Sequence, residues 1–229
     1  MSGPGISGAW GAAAVALGAY LLGSISWSYL IVRAVRGEDV RTLGSGNAGA
    51  TNALRAAGKG AGVAVLLLDA GKGAAAVAGA RALGASPGVA GAAAVAVALG
   101  HVYPVFFGWR GGKGVATSAG AMAALAPLPL ALALAVFAAA LAWKRYVSLG
   151  SVAAGIAFPL LMLLCDRLGW ERYAGGGGAA VLAAGAALGL LILHKHGANL
   201  SRVRAGTEPR LGERRAGAPE PETEAGGAR

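Results

Sequence analysis

The chain has 229 residues, of which 56% are hydrophobic and 13% charged, with a mean hydropathy of +0.60. Soluble domains carry about 25% charged residues, so this balance, with apolar runs long enough to cross a bilayer, excludes an ordinary soluble globule. A net charge of +10 would point to nucleic acid in a soluble protein. Here the basic residues flank apolar runs, so topology and phosphate binding account for them and no nucleic-acid partner is expected.

In chain order, the first apolar run covers residues 7–32. It is too long for a cleavable signal peptide and lacks the basic leading segment of one. It reads as a retained membrane helix, with Trp10 near one end and Trp27 and Tyr29 near the other as interfacial rings. Residues 33–59 are polar, basic and glycine-rich and are expected to form the first loop. Apolar runs follow at 61–80 and 87–107. The next, 115–143, exceeds the roughly 20 residues of an untilted span. Pro127 and Pro129 interrupt it, which predicts two shorter helices. Runs at 147–164 and 174–193 complete the pattern. The expectation is an all-α, polytopic membrane bundle of about seven helices, or five or six if the short ones are re-entrant.

Lysine and arginine placement orients it. With the N-terminus outside, the inner loops and the C-terminal end hold Arg33, Arg36, Arg41, Arg55, Lys59, Arg110, Lys113, Lys144, Arg145 and Lys195, against only Arg81, Arg167 and Arg172 outside. Residues 1–213 are expected to form the membrane domain, and the Pro/Glu/Gly/Ala-rich residues 214–229 a disordered cytoplasmic tail. Cys165, the one cysteine, sits in an apolar run as a small buried side chain. No Cys/His spacing suits zinc and no carboxylate group suits a hard cation, so neither metal nor cofactor is expected.

Two glycine-rich segments interrupt the apolar pattern, Gly44-Ser-Gly-Asn-Ala-Gly-Ala-Thr-Asn52 and Gly111-Gly-Lys-Gly-Val-Ala-Thr117. Glycine lets successive N–H groups converge on an anion. In the first segment the amides of 45–49 can form such a nest, Ser45 adds a hydroxyl, and, if the chain from Ala50 onward is helical, the helix N-terminus adds its dipole. Asn47, Thr51, Asn52 and Arg55 follow closely. In the second, Gly111, Gly112 and Gly114 surround Lys113, with Arg110 before them and Thr117 opening the next helix. This is not a nucleotide-binding P-loop, because Phe107 stands where that motif needs its first glycine and Gly114 where it needs Ser or Thr; no nucleotide is expected. The alternative at either loop is a basic inner segment that only follows the positive-inside bias.

Asp69 and Lys72 share a helix face at i, i+3 within an apolar run. Each alone would cost about 2.5–3.5 kcal/mol at a membrane-helix centre, so they are read as an ion pair supporting the site. His101 is read as a packed, hydrogen-bonding residue. Past the last span, His196 and Asn199 lie one turn apart if the helix continues, followed by Arg202, Thr207 and Glu208. An interfacial basic segment attracted to anionic lipid is the competing reading there.

Taken together, Gly44-Ser-Gly-Asn-Ala-Gly-Ala-Thr-Asn-Ala-Leu-Arg55, Gly100-His-Val-Tyr-Pro-Val-Phe-Phe-Gly-Trp-Arg-Gly-Gly-Lys-Gly-Val-Ala-Thr117, Arg145-Tyr-Val-Ser-Leu149 and His196-x-x-Asn199 with Gly-Thr-Glu208 resemble the bacterial acyl-phosphate:glycerol-3-phosphate acyltransferases. The motifs stand in that family's order and leave only the two ends uncovered. Ala48 replaces a frequent proline and Arg110 a common lysine, and neither change removes a charge. The resemblance implies an integral membrane enzyme that transfers a fatty acyl group from acyl phosphate to sn-glycerol 3-phosphate, without metal, nucleotide or thioester donor, at the cytoplasmic face of the bacterial inner (plasma) membrane. On that basis the 45–49 amides, including Gly46 and Gly49, and the Ser45 hydroxyl are expected to hold the acyl-phosphate group. Arg55, Lys113 and Ser148 are expected to hold the acceptor phosphate. Asn199 and His196 orient and polarise, and Glu208 holds the C-terminal segment against the basic loops. A transporter for phosphorylated solutes is the rival from another class, though no internal repeat supports it. A lipid-binding scaffold is a third reading and leaves the conjunction of Ser45, Lys113, His196 and Asn199 unexplained.

Overall fold

The computed structural model describes residue 6, residues 8–170 and residues 178–213. The expected tail at 214–229 and Arg172 lie outside the described residues. Among them the architecture is helical throughout, with no strand.

The first apolar run is broken. Helix α1 (Ala9–Gly23) ends before Ser24, and α2 (Trp27–Arg36) starts after Ser26. Serine competes with helical backbone through its own hydroxyl, and Ser24 Oγ donates back to the Tyr20 carbonyl at 2.9 Å. The Ile25 carbonyl released by the break accepts from the Lys72 ammonium at 2.7 Å. Irregular backbone inside an apolar span persists where protein supplies such a partner.

Helix α3 (Ala50–Ala82) starts earlier than the basic composition of 33–59 suggested, so the first loop shrinks to residues 37–49. Alanine, leucine, arginine and lysine all favour helix, and charge alone does not make a loop. The helix is interrupted at Gly58 (φ 85°, ψ −179°), and Arg36 donates to the Ala56 carbonyl beside that break at 3.2 Å.

After α4 (Pro87–Val102) and a short 3-10 turn (Val105–Phe107), the prolines divide the long run as expected into α5 (Val115–Ala123) and α6 (Pro127–Lys144). Helices α7 (Val147–Arg167), α8 (Gly178–Lys195) and α9 (Gly197–Arg204) follow. Among the described residues six stretches are long and apolar enough to span a membrane, with α1 and α2 counted as one. Helix α5 has nine residues, about 14 Å at 1.5 Å per residue. It still runs from one end of the bundle toward the other. Gly114 at its start packs beside Val102 at the end of α4, whereas the Ala124 carbonyl just past its end accepts from Arg81 at 2.7 Å. Among the described residues, six long spans and the half-length α5 correspond to the expected apolar runs.

Backbones cross without side chains between them. A Cβ on Gly23 would lie 2.1 Å from the Val97 carbonyl oxygen, and one on Gly100 2.1 Å from that of Tyr20, which seats α1 on α4. The corresponding distances are 2.1 Å from Gly73 to Thr117 O and 1.8 Å from Gly120 to Ala70 O, which seats α3 on α5. Such small-residue contacts replace the hydrophobic drive that lipid removes. Cys165 is buried in the apolar interior, as expected. These crossings leave the glycine loops, the α6–α7 junction and the segment after α9 at one end of the bundle.

Candidate functional site

The first loop is shaped by Asn52, in the first turn of α3. Its Nδ2 donates to the carbonyls of Val40 (2.9 Å) and Leu43 (3.0 Å), and its Oδ1 accepts from the Ser45 amide at 2.9 Å. Asn52 therefore builds the loop with its whole amide. Gly44 and Gly46 have φ of 54° and 71°, and a Cβ on Gly44 would meet Asn52 Oδ1 at 2.4 Å. Glycine is required at Gly44 for both reasons. Ser45 is left exposed on the rim. Arg41 ties this loop to the second, pairing with Asp39 at 2.6 Å and donating to the Phe107 carbonyl at 2.7 Å.

The second loop folds back on α4, with Gly111 N–H donating to Val102 O (3.2 Å) and Gly112 N–H to His101 O (3.1 Å). Gly114 (φ 81°) turns the chain into α5. Lys113 reaches across to donate to Asn199 Oδ1. Burial lowers the Lys113 pKa to about 8; Glu208 works against this, while Arg202, Arg55 and Lys195 add to it.

Past α8, the His196 ring places Nδ1 2.7 Å from the Ile192 carbonyl. A carbonyl only accepts, so Nδ1 carries the proton and Nε2 keeps its lone pair. Burial, reinforced by the Lys113 charge, lowers the His196 pKa to about 4, so the ring is neutral near pH 7. Asn199 Nδ2 donates to Glu208 Oε1 at 2.7 Å, as does Ser148 Oγ at 2.8 Å, and Arg202 Nε holds the other oxygen at 2.8 Å. Desolvation pulls the Glu208 carboxyl up, but the donors Asn199, Ser148 and Arg202 outweigh it and hold the pKa below the usual range.

These groups surround one cavity of about 340 Å³. It brings together Ser45, Asn47, Gly49, Thr51, Asn52, Arg55, Asp69, Lys113, Gly114, Ser148, His196, Asn199 and Glu208. Gly46, Gly111, Gly112 and Thr117 stand outside the lining, and Lys72 lies behind Asp69. Thr117 is buried toward α3, because the 100° step of a helix gives the cavity face of α5 to Val115, Ala116 and Ala119. A second, apolar pocket of about 60 Å³ shares Val115, Ala119, Leu134, Phe137 and Ser151 with the first.

Three contributions go beyond the roles read from the sequence, although His101 is packed and hydrogen-bonded as expected. Arg202 was visible as a charge one turn beyond Asn199. His101 joins the Asp69–Lys72 pair and lines the cavity, and its only signal was a lone imidazole beside a glycine loop. Leu134 and Phe137 carry no signal at all, being apolar residues in an apolar helix. The described residues contain no group of three or more His, Cys, Asp or Glu able to hold a metal.

A family model described as Glycerol-3-phosphate acyltransferase matches residues 13–206. Relatives named glycerol-3-phosphate acyltransferase include those of Synechococcus sp. strain CC9902 (45% identity, covering 87% of this chain and 94% of the relative) and Clostridioides difficile strain 630 (41%, covering 88% and 96%). Among solved structures, PlsY (YgiH), an integral membrane glycerol 3-phosphate acyltransferase, is similar in its glycerol 3-phosphate form. The TM-score is 0.76 at 39% identity, covering 88% of this chain and 96% of that one. Its lysophosphatidic acid form gives 0.75 at 37% identity, covering 88% and 95%.

Proposed function

The chain belongs to the glycerol-3-phosphate acyltransferase family, and from that premise we propose that it transfers a fatty acyl group from acyl phosphate to the 1-hydroxyl of sn-glycerol 3-phosphate. The products are lysophosphatidate and inorganic phosphate, in the first step of phospholipid synthesis. The protein is an acyltransferase with several membrane spans. We place its site at the cytoplasmic face of the bacterial plasma membrane, where both substrates arise and where the cationic loops belong by the positive-inside bias.

One observation carries this reading. Ser45, Asn47 and Gly49 of the first glycine loop and Lys113 and Gly114 of the second converge with Arg55 and Arg202 on a single cationic cavity, and an apolar pocket shares that cavity's wall. Both substrates carry a phosphate and one carries an acyl chain. The Ser45 hydroxyl, the Asn47 side chain and the first turn of α3 hold the donor phosphoryl group. The nest of 45–49 amides expected from the sequence does not form, because the Ser45, Gly46 and Gly49 N–H groups donate within the loop to Asn52 Oδ1, Leu43 O and Asn47 O. Arg55 and Lys113 hold the acceptor phosphate, and Ser148 joins them by turning its one proton away from Glu208. The acyl chain lies along Leu134 and Phe137.

Acyl phosphate is already activated, so the protein's task is alignment and charge stabilisation. The acceptor hydroxyl oxygen attacks the acyl carbon, the C–O bond to phosphate breaks, and the hydroxyl proton leaves on the phosphate. No side chain is a strong base here. Glu208 is held ionised by its donors, and His196 is a weak base. His196 Nε2 can accept a hydrogen bond from the acceptor hydroxyl, while Asn199 orients it. The leaving phosphate takes the proton, and no acyl-enzyme forms.

Mixing enzyme with acyl phosphate alone tests the direct route. The expected result is no burst of inorganic phosphate until glycerol 3-phosphate is added, and an unmodified Ser45 by mass spectrometry. A stoichiometric burst with acylated Ser45 would overturn it. Product formed from an acyl thioester but not from acyl phosphate would overturn the donor assignment.

A further inference from the structure

Asp69, Lys72 and His101 are 2%, 4% and 7% exposed and form a buried polar cluster in the cavity wall, with Asp69 and His101 lining the cavity and Lys72 behind them. Three directions around the Lys72 ammonium are filled, by Asp69 Oδ1 at 2.9 Å, Ile25 O at 2.7 Å and His101 Nδ1 at 3.0 Å. An ammonium group only donates, so Nδ1 accepts and the ring proton sits on Nε2. Asp69 Oδ1 stands 3.4 Å from the same Nδ1. The far edge of the ring meets the second loop. A Cβ on Gly112 would lie 2.1 Å from His101 Nε2 and 2.6 Å from the Ala48 carbonyl oxygen of the first loop. The open Cβ side of Gly112, directly before Lys113, thus receives both the imidazole and the first loop.

A buried ion pair gives little stability over apolar residues of the same shape. This one also holds the carbonyl freed by the break before α2 and an imidazole that abuts a substrate loop. We propose that Asp69, Lys72 and His101 are a positioning device for the transfer reaction. Lys72 and Asp69 fix the His101 ring, the ring sets the spacing of the two glycine loops, and that spacing places Lys113 for the acceptor phosphate. His101 is a positioning residue acting through Gly112 and Lys113. The inference rests on the function proposed above.

The test compares His101→Ala, the paired Asp69→Asn/Lys72→Met, and all three changes together, in full-length protein in detergent. Thermal unfolding is titrated with glycerol 3-phosphate to give a Kd, and kcat/KM is measured alongside. The expected result is a glycerol 3-phosphate Kd raised about tenfold or more in both the single and the paired variant. Their kcat/KM is expected to fall about 10- to 100-fold, as a misplacement near 1 Å can cause. The triple variant is expected to be no worse than His101→Ala, since groups acting through one contact do not add. A Kd and kcat/KM within about twofold of the parent in folded variants would mean a purely structural cluster and overturn the proposal, as would losses that multiply in the triple variant. Should His101→Ala not fold, Gly112→Ala pushes the same ring from the other side, and an unchanged Kd there overturns the proposal equally. The Kd is read without turnover, so failure of the acyltransferase reading, seen as no product from the parent protein, is distinguishable from failure of this one.

Discussion

At Lys113, burial lowers an ammonium pKa from the ordinary 10.5 to about 8. The group must be charged to hold a phosphate dianion, so kcat/KM for glycerol 3-phosphate is expected to fall as pH rises through about 8, a profile that reports the free enzyme. On the acid side the substrate's second phosphate ionisation, near pH 6, sets the limit. Lys113→Arg keeps the charge above pH 12, and the alkaline limb is expected to move upward even though the variant is slower. An alkaline limb unchanged in Lys113→Arg would show that another group sets it. At Glu208, three donors converge on a carboxylate whose side chain is 6% exposed. Glu208→Ala strands them and is expected to cost about 2 kcal/mol in reversible unfolding. Glu208→Gln, which can still accept from Ser148 and Asn199, is expected to cost less than half of that. Equal losses in the two variants would remove the hydrogen bonds as the cause.

Helix crossings belong to the next scale. Gly120 sits where α5 touches α3, and a methyl there would lie 1.8 Å from a backbone oxygen that cannot rotate away. Gly120→Ala is expected to destabilise by about 1–3 kcal/mol or more, as overpacking does. On the outer face of α3, Gly79 has nothing within 4 Å of its Cβ position, so Gly79→Ala is the matched control and is expected to be neutral or slightly stabilising. Comparable losses at both positions in thermal unfolding would contradict the crossing argument. This scale also shows where the sequence was ambiguous. Pro127 and Pro129 marked the α5–α6 division because proline lacks a donor. The break at Ser24–Ser26 had no comparable mark, since serines occur within membrane helices and this break is held by Lys72, 47 residues away. The early start of α3 was obscured because its first turns are basic, and a loop and a helix end share that composition.

Across the whole molecule, the six long spans and both glycine loops were legible, because length, apolarity and glycine clustering are local properties. The cavity was legible only in part. Ser45, Arg55, Lys113, His196 and Asn199 converge on it, but Asn52 proved to be a builder of the loop and Thr117 faces α3. Which side of a helix turns inward depends on crossings that no single segment encodes. The convergence of Ser148, Asn199, Arg202 and Glu208 joins residues up to 60 apart, and it gives the C-terminal segment its place over the site. Glu208 and two bonds between Arg145 and Leu211, from the Leu211 N–H to the Arg145 carbonyl at 2.7 Å and from the Arg145 guanidinium to the Leu211 carbonyl at 2.8 Å, tie that segment to the α6–α7 junction.

The central claim is that one cationic cavity brings two phosphates together so that acyl phosphate acylates glycerol 3-phosphate directly. Its most direct test uses detergent-purified protein with long-chain acyl phosphate and labelled glycerol 3-phosphate, with chelator present and no nucleotide, following lysophosphatidate and inorganic phosphate together. The account predicts equal yields of the two products, both requiring both substrates, and a loss of about a hundredfold or more in Arg55→Ala and Lys113→Ala, as for other groups stabilising developing charge. Folded protein that releases phosphate without making the ester, or makes neither, would contradict it.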